Sequence, residues 1–166
     1  VNNLLQLSKV NANEESIKLF KEGGAYLVPT LMAGDTVVEL AKNTDFLSPA
    51  IRAKAIRVGA DMIANFKRSH KSGVKIAYGT DSGVSKHGNN GKEAVLMHEA
   101  GMSAQYILKS ATVNAADLIG QSKSLGTIEV GKIADIIAMH ASPLLNIKEL
   151  LDVDFVMKSG KVVKSK

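Results

Sequence analysis

Gly73-Val74-Lys75-Ile76-Ala77-Tyr78-Gly79-Thr80-Asp81-Ser82-Gly83 is the stretch on which the fold of this chain turns. Gly73 breaks a preceding helical pattern, a β-prone run follows over 74–80, and the run ends on a carboxylate and turn residues. Strand alternation puts Val74, Ile76, Tyr78 and Thr80 on one face and Lys75, Ala77, Gly79 and Asp81 on the other. The bulky face suits packing beneath helices. The other narrows to Ala77 and Gly79 and leaves room around Asp81. At the C-terminal end of a parallel strand, where α/β proteins collect their reactive groups, a carboxylate can bind a hard or borderline cation or take a proton from water. Asp-Ser-Gly is also ordinary turn chemistry, so the residues by themselves leave both roles open.

Upstream of this strand, Asn13-Glu14-Glu15 opens a helix with a capping side chain and two carboxylates at the positive end of the dipole. Ile17, Leu19 and Phe20 are assigned to its inner side, and Gly23-Gly24 ends it. Residues 25–30 form an apolar run closed by Pro29, which predicts a buried strand. A polar stretch around 43–45 leads to Ser48-Pro49, a cap with proline at the first helical position. Ile51, Ala55, Val58, Met62 and Phe66 then keep a helical period to about residue 70. Helix, strand, helix, strand with short glycine-marked turns predicts the α/β class with a parallel sheet.

Downstream, a Gly/Asn-rich loop over 82–91 is followed by predicted helices over 92–100, 103–110 and 113–119. Short strands are predicted over 126–128, 136–140, 154–158 and 161–164, with Ser159-Gly160 as a two-residue hairpin turn. This change of character divides the chain into regions 1–120 and 121–166.

Composition narrows the function. A chain of 166 residues fits one domain of roughly 100–200 residues, and 45% hydrophobic with 22% charged residues is a globular balance. No apolar run approaches the roughly 20 residues of a membrane helix, so a soluble protein is expected. Without cysteine there is no disulfide framework or thiolate metal site, and the compartment stays open. The net charge of +5 comes from 21 basic residues of which only Arg52, Arg57 and Arg68 are arginine, with 4% aromatics, which argues against nucleic acid as a partner. The chain opens Val1-Asn2-Asn3 without a methionine or a basic leader, as a processed chain or a part of a longer one would. A complete (β/α)8 barrel takes about 250 residues, more than this chain has.

Several stretches together carry a resemblance: residues 73–81, His87-Gly88-Asn89-Asn90, Glu99-Ala100-Gly101-Met102-Ser103, Ala111-Thr112-Val113-Asn114-Ala115-Ala116, residues 125–135, Pro143-Leu144 and residues 156–163. In order and spacing they resemble the C-terminal part of metal-dependent amidohydrolases, in the imidazolonepropionase-like and prolidase-like branch. The resemblance implies the last two strands and helices of a distorted TIM (β/α)8 barrel over 1–120, and short strands of the accompanying β-sandwich over 121–166. It implies hydrolysis of amide, cyclic amide or dipeptide C–N bonds in a small-molecule or dipeptide substrate with one or two divalent ions, commonly zinc. Asp81 matches the carboxylate that binds metal and takes a proton from the attacking water. His87 and Asn90 match the loop that rims the site. Residues 125–135 become a turn into the sandwich with Asp135 as its structural residue, and Thr112 becomes a helix cap.

The chain departs from that pattern in one decisive respect. It has no His-x-His pair, and His70, His87, His98 and His140 are its only histidines. His70 and His98 are assigned to helices and His140 to a strand end, all structural. The remaining ligands would therefore come from a missing N-terminal barrel portion. The alternative is a non-catalytic remnant or interaction module that keeps only the end of the fold. Open sheet edges and an exposed barrel interior would then invite pairing into a homo-oligomer.

Overall fold

The computed structural model describes residues 12–43 and 47–166, together with the backbone of Leu4–Leu5. Asn13 opens α1 (Glu14–Glu22) as predicted, its Oδ1 accepting the Ser16 N–H at 2.8 Å. Phe20 is buried, whereas Leu19, expected beside it, is 63% exposed. One residue turns a helix by about 100°, enough to carry Leu19 off the inner face.

β2 (Tyr26–Leu27) and β3 (Lys75–Ile76) pair in parallel, and β1 (Leu4–Leu5) adds to the other side of β2, giving the order β1-β2-β3. The residue pattern predicts the strands at 25–30 and 74–80, which are observed only over Tyr26–Leu27 and Lys75–Ile76. The third, β1, is also two residues long and is defined by its pairing with β2.

A helix the sequence reading did not assign, α2 (Leu31–Asn43), follows β2. Gly34 and the β-branched run Thr36-Val37-Val38 weaken its intrinsic signal. The polar stretch around 43–45 meets its end; residues 44–46 lie outside the described residues. α3 (Pro49–Lys71) begins at Pro49 as expected and packs along α2. Two glycines permit that approach: a Cβ on Gly59 would stand 2.3 Å from Val38 Cγ2, and one on Gly34 would stand 2.7 Å from Met62 Sδ.

Val74 and Ile76 are buried in a cluster with Leu27, Leu31, Phe66, Met97 and Ile107, and Tyr78 packs against it. The face assigned to the helices is thus the one beneath them. α4 (Lys92–Glu99) and α5 (Ala104–Lys109) follow, and α5 runs on through a π-helical turn, Ser110–Asn114, into α6 (Ala115–Leu118). The predicted break near residue 111 is absent. Thr112, expected as a cap, lies inside this run and its hydroxyl donates to the Leu108 carbonyl at 2.8 Å.

The C-terminal region forms a separate antiparallel sheet of β4 (Ile136–Ala138), β5 (Phe155–Lys158) and β6 (Lys161–Ser165). Ser159 and Gly160 take φ of 49° and 79° in the turn between β5 and β6, as a tight two-residue hairpin requires. Asp135 has its assigned structural role, with Oδ1 accepting the Ser159 N–H at 2.7 Å and Oδ2 paired with Lys158. The strand expected over 126–128 is a loop. Its polar groups gather around the Lys132 ammonium, which donates to the carbonyls of Ser122 at 2.8 Å and Leu125 at 3.4 Å and to the Thr127 hydroxyl at 2.6 Å. A 3₁₀ turn, Ile147–Leu151, packs on α4 with Ile147 buried. Among the described residues no helix is long and apolar enough to cross a membrane.

Candidate active site

β2 and β3 end together, and the segment that follows β3 carries the candidate groups. The Ala77 N–H donates to the Leu27 carbonyl at 3.0 Å. Beyond it β3 meets the π-helical turn: the Tyr78 N–H donates to the Ser110 carbonyl at 3.0 Å, and Asn114 Nδ2 donates to the Ile76 carbonyl at 2.8 Å. These bonds occupy backbone groups that an open strand edge would leave unpaired. A Cβ on Gly79 would stand 2.4 Å from Val28 Cγ1, so the glycine is what lets the two strand ends approach.

Asp81 has a φ of 51°, a left-handed conformation that aspartate tolerates better than most side chains, and its residue is exposed. The strand alternation that orders residues 74–78 stops at this turn. Among the described residues nothing hydrogen-bonds to or pairs with the Asp81 carboxylate, so both oxygens are open to a ligand.

Asn90 closes the neck of the loop over 81–91. The Tyr78 hydroxyl donates to the Asn90 carbonyl and accepts the Ala94 N–H at 3.1 Å. Asn90 Oδ1 accepts from the Ser82 hydroxyl at 3.2 Å, and Ser82 in turn accepts from Thr80 Oγ1 at 2.9 Å. Burial and the nearby Glu93 charge push the Tyr78 phenol well above its ordinary range, so it remains a donor. Asn90 is thus brought beside the base of the Asp81 turn. His87 is exposed in the same loop before Gly88, which has a φ of 92°, and nothing among the described residues ties its ring to Asp81.

Two of the other histidines have local partners. His70 stacks on Phe66 with centroids 6.1 Å apart and meets Tyr106 edge-on, while His98 Nδ1 lies 3.0 Å from the Met102 carbonyl. His140 is exposed beyond β4.

Glu93 escaped the sequence reading. It is fully buried at the start of α4, and its two carboxylate oxygens accept the N–H groups of Leu31 at 2.9 Å and Met32 at 2.7 Å, the first residues of α2. Burial raises its pKa to about 7, and the two backbone donors only partly oppose that shift. Its neighbour Lys92 pairs with Asp35 at 2.6 Å and Glu39 at 3.4 Å on the same helix. An acid in a first helical turn ordinarily reads as a surface residue facing the dipole. The available signal was its place four residues before Met97, on the apolar face that Ala94 shares.

Among the described residues no three His, Cys, Asp or Glu side chains gather closely enough to hold a metal ion. The Asp81 carboxylate is a hard oxygen donor without a competing partner, which fits one position in a divalent-ion site. About three protein ligands are typical of such a site, more than the described residues bring together.

Comparison with known proteins agrees with this architecture. The profile of the amidohydrolase family matches residues 7–163. Ochratoxinase of Aspergillus niger is 33% identical over 163 residues, covering 92% of this chain and 32% of that enzyme. The 5-methylthioadenosine/S-adenosylhomocysteine deaminase of Thermoanaerobacter pseudethanolicus is 30% identical, covering 89% of this chain and 40% of the deaminase. Among solved structures, a Xaa-Pro dipeptidase with methionine bound in its active site superposes with a TM-score of 0.87 at 42% identity, covering 92% of this chain and 38% of that protein. The chain thus spans about two fifths or less of the length of these relatives. With its family profile matched almost end to end, the chain belongs to the amidohydrolase family.

Proposed function

We propose that this chain is the C-terminal portion of a divalent-metal hydrolase of C–N bonds, in the imidazolonepropionase-like and prolidase-like branch, acting on an amide, cyclic amide or dipeptide. On this reading residues 1–120 close a distorted (β/α)8 barrel and residues 121–166 supply strands of a small β-sandwich. The observation that carries the proposal is the unpaired Asp81 carboxylate, in the turn five residues beyond the parallel strand Lys75–Ile76, in a chain the family profile matches over residues 7–163.

A bound divalent ion, zinc in the first instance, supplies Lewis acidity and makes water a nucleophile near neutral pH. Asp81 provides one oxygen ligand, with the remaining ligands coming from elsewhere in the intact protein. Its second oxygen takes the proton of the attacking water and returns it to the leaving nitrogen. The exposed loop over 81–91 forms the rim, with Asn90 fixing its neck and His87 facing the substrate side.

The test uses the intact gene product, stripped with a chelator and reloaded with zinc, cobalt or manganese. Its substrates are a panel of Xaa-Pro dipeptides, N-acyl amino acids and cyclic amides. Metal-dependent turnover is expected, and Asp81→Asn should lower kcat by about 10²–10⁴-fold with little change in KM, because an amide accepts no proton at neutral pH. Turnover that ignores the metal, or an Asp81→Asn enzyme with near wild-type kcat, would remove Asp81 from the chemistry. A protein that turns over nothing and binds no metal would be the non-catalytic interaction module instead.

A further inference from the structure

Two of the strand ends at this site are followed by helices, α2 after β2 and α4 after β3, and their first turns meet at one buried side chain. Glu93 lies on α4, yet both its oxygens are taken by the opening N–H groups of α2, from 61 and 62 residues away. The residue before those donors, Thr30, is 6% exposed and has a φ of 46°, a left-handed conformation that persists only where its surroundings hold it. On the other side of Glu93, the Ala94 N–H is bound by the Tyr78 hydroxyl, and that hydroxyl also holds the Asn90 carbonyl. Asn90 then reaches Ser82, next to Asp81. A continuous set of bonds therefore runs from the end of β2, through Glu93 and Tyr78, to the Asp81 turn. Glu93 is fully buried and so meets no substrate directly, and Tyr78 is half-buried with its hydroxyl taken by these two bonds.

We propose that Glu93 is a positioning residue for Asp81: it clamps the starts of α2 and α4 together and so fixes the neck of the loop over 81–91. The inference rests on the hydrolase reading for its catalytic consequence, whereas its structural part stands without it. A misplacement of about 1 Å at a reacting group can cost on the order of 10²-fold in rate, which sets the scale of the effect.

The experiment compares the intact wild-type protein with Glu93→Gln, Tyr78→Phe and the double variant, with Asp81→Asn as a control. Amide hydrogen exchange over residues 81–91 is measured on all of them, and kcat and KM on whichever panel substrate the wild type turns over. Glu93→Gln should raise exchange over 81–91 and lower kcat by about 10–100-fold while KM stays within about threefold. Because both residues act through one neck, the double variant should be no slower than the slower single variant, rather than showing the product of the two losses. Wild-type exchange over 81–91 in both single variants, or kcat losses that multiply, would overturn the inference. If Glu93→Gln does not fold, Tyr78→Phe alone decides through the same two readouts, since it removes one oxygen and leaves α2 capped. An active Asp81→Asn enzyme would sink the hydrolase reading only; the exchange measurement would still decide for or against Glu93 as the clamp.

Discussion

The two sheets are held by different physics. In the parallel sheet Leu27, Val74, Ile76 and Ala77 are buried, covered by α-helices and by the π-helical turn that occupies the edge of β3. In the antiparallel sheet every residue of β6 is exposed, with Val162 at 48% and Val163 at 60%. There the order comes from a two-residue turn, an Asp135 cap on that turn and the surface pair of Lys166 with Asp152. Surface pairs of this kind are individually weak. The lesson is that the strands persist for different reasons: the short parallel ones through what covers them, the longer hairpin through its own turn and backbone ladder.

The largest effect should come from the parallel side. Phe66, at 2% exposed, joins α3 to the strands and to α4, and Phe66→Ala should cost about 3–5 kcal/mol, read as a lowered denaturant midpoint of the intact protein. A loss below about 1 kcal/mol would break the distinction between the regions.

Protonation gives the next largest. Folding raises the Glu93 pKa from an ordinary 4.5 to about 7, so its stabilising contribution is complete below 4.5 and is lost as pH rises through 7. A shift of that size corresponds to roughly 3 kcal/mol, as an order of magnitude. Glutamine is shaped like the protonated acid and does not titrate. Denaturation of the intact protein from pH 4.5 to 8 should therefore show wild type losing stability relative to Glu93→Gln as pH rises. Parallel curves would mean that the two backbone donors cancel the cost of burial.

The smallest effect sharpens the contrast from the hairpin side. Gly160 has a φ of 79°, and Gly160→Ala should cost about 1–2 kcal/mol because an L side chain is strained there. Hydrogen exchange should rise in β5 and β6 and stay unchanged in β2 and β3. Loosening of both sheets together would show that they share one cooperative unit.

The amino-acid sequence by itself determined the elements whose signals are local. Asn13 caps the helix that its spacing announces, Pro49 starts the longest helix, and Ser159-Gly160 makes the predicted turn. The face of 74–78 that packs beneath helices was legible from alternation, although the paired strand is only Lys75–Ile76 of the predicted 74–80 and Asp81 lies in the turn beyond it. Only the tertiary structure decided the rest. α2 depends for its first two N–H groups on a carboxylate 61 and 62 residues away, and β3 satisfies its Ile76 carbonyl from Asn114, 38 residues on. The loop at 126–128 replaces a partner strand with the Lys132 ammonium. Periodicity and capping record what neighbours along the chain can do for one another. A buried polar group takes its partner from whatever packing brings close, so no local pattern could have shown Glu93 holding two helices at the candidate site.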